Sequence, residues 1–158
     1  MTNQGNGKAL PFPPATPEDK RVARLLEKIE SDSVPILFGS YESRVVFSDG
    51  RFLELAHSLP PAIDRVRYLS AGQISAESIK QVLPAEPDTK AEKVHTESRR
   101  GGKYHLSSLT HSCAIDAVYY DYLKMRYPQA DVFCRVPRKP VTFCQDGLLR
   151  AVVMPMKE

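Results

Sequence analysis

Lys139-Pro140-Val141-Thr142-Phe143-Cys144-Gln145-Asp146-Gly147-Leu148-Leu149-Arg150-Ala151-Val152-Val153-Met154-Pro155-Met156 is the stretch whose reading decides the fold. An apolar run, an Asp-Gly turn and a second apolar run spell a β-hairpin, because Gly takes positive φ at little cost and Asp bonds its own backbone there. The last apolar residues, Val152, Val153, Met154 and Met156, need cover, so they form either a buried edge strand or a docking surface. A second such hairpin stands far upstream. Val45-Val46-Phe47-Ser48-Asp49-Gly50-Arg51-Phe52-Leu53 matches Val141 to Leu149 if the later turn is one residue longer.

The chain around the two hairpins repeats as well. Thr16-Pro17-Glu18-Asp19 places a side-chain acceptor at N-cap, Pro at N1 and acids in the first turn, which starts a helix. Val22, Leu25, Leu26 and Ile29 then recur at i, i+3, i+4 and i+7, so one face of that helix must meet a core. Strand-like runs follow at Val34 to Phe38, Arg44 to Phe47 and Phe52 to Ala56, closed by Ser58-Leu59-Pro60-Pro61. A further strand is expected over Val66 to Leu69, and a short helix capped by Ser75 carries Ile79, Val82 and Leu83 until Pro84 ends it. Residues 84–102 are polar and read as a long exposed connection. Order resumes in a strand over Lys103 to Leu109 and a helix over about Ser112 to Tyr127, striped by Ile115, Val118, Tyr119 and Tyr122 and stopped by Pro128. Strands are then expected at Val132 to Val136, Val141 to Cys144 and Leu148 to Met154. Helix and three strands, a connection, then strand, helix and three strands is the order of an internal duplication.

Composition bounds the function. The 158 residues suffice for one domain with a core, expected over 16–156 behind a flexible Gly/Asn/Pro-rich arm at 1–15. Hydrophobic content of 42% and charged content of 26% are those of a soluble protein. No apolar run is long enough to span a bilayer and no signal-peptide pattern is visible, so the expected setting is cytoplasmic. Cys113, Cys134 and Cys144 form no C-x-x-C and read as buried thiols. His57, His95, His105 and His111 form no H-x-x-x-H or H-E-x-x-H pattern, so neither a metal nor another cofactor is expected.

The repeated helix-plus-three-strand unit resembles one domain of the DNA sliding clamp (processivity factor) family. The residues point towards the bacterial β-clamp, whose chains commonly end in a Val-Val-Met-Pro-Met-Arg-like strand. Here Val152-Val153-Met154-Pro155-Met156-Lys157 holds that place, and Ser48-Asp49-Gly50-Arg51-Phe52-Leu53 is similar to the family's Thr-Asp-Gly-His-Arg-Leu motif without its His. The resemblance implies an α+β processivity fold, with two helices on one face of an antiparallel sheet. It further implies a pocket for short peptides of polymerases and other replication proteins, made by Gly50, Arg51 and Leu53 with Val152, Met154, Pro155 and Met156. The alternative reading of Val152 and Met154 is a core or edge strand. Family rings hold six such domains, so a chain with one domain implies a homo-oligomer. If subunits join head to tail, the Ser48-to-Leu53 motif of one would meet the Val152-to-Met156 strand of the next.

Clamp helices face the inside of the ring, where Lys and Arg meet phosphates without reading sequence. Lys20, Arg21, Arg24 and Lys28 on the first helix form such a basic face, and Arg99-Arg100-Gly101-Gly102 is either a mobile phosphate contact or loop. The second helix offers less, with Asp116, Tyr120, Asp121 and Lys124 expected to point outward. The net charge of +3 is too small to decide the matter. The chain therefore reads as a non-enzymatic clamp-like protein, with a stand-alone α+β adaptor or inhibitor that never touches DNA as the alternative. A thiol enzyme using Cys113 at a helix start is a third.

Overall fold

The computed structural model describes residues 16–66, 72–84, 91–135 and 139–156. The expected arm at 1–15 and most of the strand expected at 66–69 lie outside those residues.

Helix α1 (Pro17–Ser31) begins as its sequence dictates. The Thr16 hydroxyl accepts from the Asp19 N–H at 3.1 Å, and the Asp19 carboxylate accepts from the Thr16 N–H at 3.0 Å. Strands β1 (Leu37–Tyr41), β2 (Arg44–Ser48) and β3 (Phe52–Ala56) follow as an antiparallel meander. Then come α2 (Pro61–Arg65), a short β4 (Gly72–Gln73) and α3 (Ala76–Val82), the last capped by Ser75 as expected. The second half contains β5 (Glu92–Lys93), β6 (Thr96–Arg100), β7 (Lys103–Ser107), β8 (Ser112–Asp116), α4 (Ala117–Arg126), β9 (Asp131–Cys134), β10 (Val141–Gln145) and β11 (Leu148–Val153).

Eight strands form one sheet in the order β4-β1-β2-β3-β11-β10-β9-β5, antiparallel except where β4 runs parallel to β1. From the β3/β11 seam outward the six central strands read alike in both directions, because each long helix is followed by three strands stepping towards that seam. Both α1 and α4 pack on one face. Val22, Leu25 and Ile29 of α1 and Tyr119, Tyr122 and Leu123 of α4 share a core with Phe38, Phe47, Phe52, Val141, Phe143, Ala151 and Val153. The opposite face buries Val46, Leu53, Leu55 and Val152 under Ile79 of α3. At the β1/β4 edge, a Cβ on Gly39 would stand 2.7 Å from the Ile74 carbonyl oxygen, so only glycine admits this approach.

Strands β6, β7 and β8 make a second, three-stranded sheet. It corrects two expectations. Residues 84–102 hold two strands rather than loop alone, and β6 escapes sequence reading because all five of its residues are exposed. Ser112–Asp116 is strand, not the first turn of a helix: Asp116 is the N-cap of α4 and accepts from the Val118 N–H at 2.8 Å. The later hairpin turn is also shorter than the earlier one, two residues (Asp146-Gly147, φ 56° and 74°) against Asp49 to Arg51. Its surplus residue is Arg150, skipped between the Phe143/Ala151 and Cys144/Leu149 pairs as a β-bulge.

One carboxylate lies at the centre. Glu54 on β3 is fully buried and accepts from Tyr122 Oη at 2.7 Å, Tyr127 Oη at 2.6 Å and Arg126 Nε at 3.0 Å. A second acid, Asp49, accepts from Tyr119 Oη at 2.5 Å and from the Arg51 and Phe52 amides. Burial above all, then the acid each faces, raises all three tyrosine pKa values. Removing the acid leaves two buried hydroxyls unpaired and takes its carboxylate from the half-buried Arg126 guanidinium. Glu54→Ala is therefore expected to lower unfolding stability by roughly 3–5 kcal/mol in urea titrations.

At the far end of the small sheet, Glu92 holds the β7–β8 loop. It accepts from the Ser108 hydroxyl at 2.7 Å and from the Thr110 amide at 3.0 Å and hydroxyl at 2.8 Å. Those bonds, the Ser108 hydroxyl first, hold its pKa down from 4.5 to about 2. A depressed carboxylate stabilises the fold above its unfolded value and loses that contribution as pH falls through the folded one. The loop is thus expected to loosen between pH 4.5 and about 2. Carboxyl NMR shifts of Glu92 check this: a midpoint at the ordinary value would mean that the bonds are not made.

Candidate peptide and nucleic-acid surfaces

The residues expected to take a peptide gather on one strip of the chain. Leu53 pairs with Val152 across the β3/β11 seam, and the Met154 N–H donates to the Arg51 carbonyl at 2.8 Å. The two motifs therefore meet within one chain, and no neighbouring subunit is needed to join them. Beyond β11 the tail crosses to the small sheet, where the Met156 N–H donates to the Ala114 carbonyl at 2.8 Å.

Within this strip the apolar residues divide. Leu53 and Val152 are 3% and 4% exposed, packed with Ile79 of α3, whereas Met154 and Met156 are 43% and 37% exposed and Pro155 lies half-buried between them. Gly50 and Arg51 are exposed at the hairpin tip, and the Arg51 guanidinium donates to Asp32 at 2.8 Å. As the protein stands, the seam residues are core and the two methionines are surface. Farther along the same sheet face, Leu55, Thr142, Leu148, Leu149 and Leu83 line a groove of about 770 Å³, with Arg44 and Lys80 on its wall. Arg44 is held there by donating to the Leu149 carbonyl at 2.6 Å. The near-continuous apolar runs of β3 and β11 could have announced this groove, since both strands are apolar on both faces and so need cover on both.

The basic face of α1 is half neutralised inside the protein. Arg21 pairs with Asp121 at 3.1 Å, and Lys28 lies between Asp32 and Asp116 at 3.1 and 3.0 Å. Burial alone would lower the Lys28 pKa, but the two acids outweigh it and raise it. Lys20 and Arg24 are exposed and have no carboxylate partner among the described residues. Tyr120 and Asp121, expected to point outward from the second helix, are buried, because the small sheet folds over them. Tyr104 stacks on Tyr120 at 3.9 Å, and Asp121 accepts from Arg99 at 2.6 Å and from Tyr104 Oη at 3.1 Å. Arg99 is thus tied down on β6, while Arg100 stays exposed.

Cys113 lies inside β8, so the helix-dipole activation expected for it is absent. No three His, Cys, Asp or Glu side chains cluster as metal ligands among the described residues, and no helix there is long and apolar enough to cross a membrane. Sequence reading missed the buried acids Asp49, Glu54 and Asp121. Their signal was chemical rather than periodic: a lone Glu within Phe52-Leu53-Glu54-Leu55-Ala56 needs a buried partner, and one helix supplies tyrosines at 119, 122 and 127. Comparison of the chain with protein-family models, curated proteins and solved structures gave no match.

The division of the strip sets an expected mutational contrast. Leu53→Ala should cost about 2–5 kcal/mol as a core truncation, whereas Met154→Ala and Met156→Ala should each stay within about 0.5 kcal/mol. Chemical denaturation of the three variants measures it, and a large loss at Met154 would make that residue core.

Proposed function

We propose that this chain is a single-domain, non-enzymatic sliding-clamp-like protein. It binds short peptides of replication proteins and the backbone of duplex DNA, acting as a homo-oligomer. The observation that carries this reading is the arrangement about the β3/β11 seam: two helix-plus-three-strand units meet there, and both long helices lie on one face of the continuous sheet. The Val152-to-Met156 segment adds to it, with exposed Met154 bonded to the Asp49-to-Leu53 hairpin and exposed Met156 to the small sheet. Flexible, polarisable methionine suits a surface that takes varied apolar anchors. Peptides would dock on the methionines or in the groove farther along the same sheet face. The helix face would meet phosphates through Lys20 and Arg24, with Arg21 and Lys28 serving mainly to hold α1 against α4 and β8.

The alternative is an adaptor that binds protein alone. The internal pairing of Arg21 and Lys28 favours it, since only two of the four α1 cations remain unpaired among the described residues. DNA separates the two readings. The clamp-like protein should bind duplex with an affinity that falls steeply with salt, and the Lys20→Glu/Arg24→Glu variant should lose at least tenfold while folding normally. It should also stay longer on nicked circular duplex than on linear duplex with free ends. Fluorescence anisotropy and light scattering measure these outcomes. A strict monomer with no salt-dependent DNA binding leaves the adaptor.

A further inference from the structure

The two thiols Cys113 and Cys134 come from different sheets and have no part in the proposed binding surfaces. Cys113 is half-buried on β8 of the small sheet, and Cys134 is buried on β9 of the large one. Their sulfurs stand 3.6 Å apart. A disulfide needs about 2.05 Å, so the two must close by about 1.5 Å, a distance that side-chain rotation can supply. The third cysteine is no competitor. Cys144 pairs with Asp131 across the β9/β10 ladder, three residues and about 10 Å along the strand from Cys134. Cys144 lines the groove on the outer face, whereas Cys134 belongs to the core beneath the helices.

We infer that Cys113 and Cys134 are a peroxide-responsive thiol pair that closes to a disulfide joining the small sheet to the large one. The Cys113 sulfur, the more accessible, attacks one oxygen of hydrogen peroxide as the thiolate. The O–O bond breaks, hydroxide leaves, and Cys113 becomes a sulfenic acid. The Cys134 sulfur then attacks the Cys113 sulfur: the S–S bond forms, the S–O bond breaks, and a second hydroxide leaves. The two thiol protons convert both hydroxides to water. Two thiols have lost two electrons, and one peroxide has gained them. The new bond would close a loop that contains all of α4, the helix that supplies the tyrosines and Arg126 to the buried acids.

Peptide mapping tests the pair on the full chain, because trypsin leaves each cysteine in its own peptide, 104–124, 127–135 and 139–150. After mild hydrogen peroxide, two of the three thiols should be lost. The 104–124 and 127–135 peptides should appear linked, two hydrogens lighter than their sum, and reduction should separate them. The melting temperature should rise by roughly 5–10 °C and return on reduction. In Cys134→Ser, the sulfenic acid at Cys113 should persist and be trapped by dimedone. A link to Cys144, or oxidation of Cys113 to the sulfinic acid without any link in the unmodified chain, overturns the inference.

Discussion

A single buried carboxylate holds the two halves of this molecule in register. Glu54 sits on the third strand of the first unit, with no exposed surface, and every partner that satisfies it comes from the end of α4 in the second. Moving a carboxylate out of water costs several kcal/mol, and the cost is recovered only when charge and lone pairs are met with good geometry. Tyr122, Tyr127 and Arg126 meet them together, and Arg126 also donates to the Ser58 carbonyl at 2.6 Å. Apolar contacts tolerate a slide of one helix along another, but this constellation does not. The same logic recurs at Asp49, which takes the Tyr119 hydroxyl while organising its own hairpin turn.

With α4 placed by its acids, much else follows. Helix α1 packs beside it, and the residues that seemed free to meet a polyanion, Arg21 and Lys28, turn to Asp121 and Asp116. The small sheet closes over the remaining flank of α4 through Tyr104 and Arg99. What stays exposed is narrower than the composition suggests: Lys20 and Arg24 on the helix face, a groove at the Leu148–Leu149 end of β11 on the other face, and Met154 and Met156 past the opposite end of that strand. The same sequence motif is thus divided between core and surface, because Leu53 and Val152 face α3 while the chain past Val153 runs out from beneath it.

Much of the fold was legible in the residues themselves. The capping box of α1, the Ser75 cap of α3 and the Asp-Gly hairpins are encoded by neighbours a few positions apart, so the local chain contains all the chemistry that forms them. The α+β class and the repeated order followed from these. Strand β6 was not legible, since a strand exposed on every residue shows no alternation. Nor was the β8/α4 boundary, since Ile115 fits a helical stripe and a strand equally well until Asp116 is seen to cap.

The candidate surfaces divide in the same way. By itself the sequence determined that two hairpins of like pattern exist, that a basic helix precedes one of them and that an apolar strand ends in Met154-Pro155-Met156. Only the tertiary structure decided that both hairpins meet at one seam of one sheet, that half of the basic helix is neutralised and that Cys113 faces Cys134. The physical reason is range. Caps and turns are satisfied within a few residues, whereas a buried charge or a sulfur finds its partner across distances in sequence that no local pattern records.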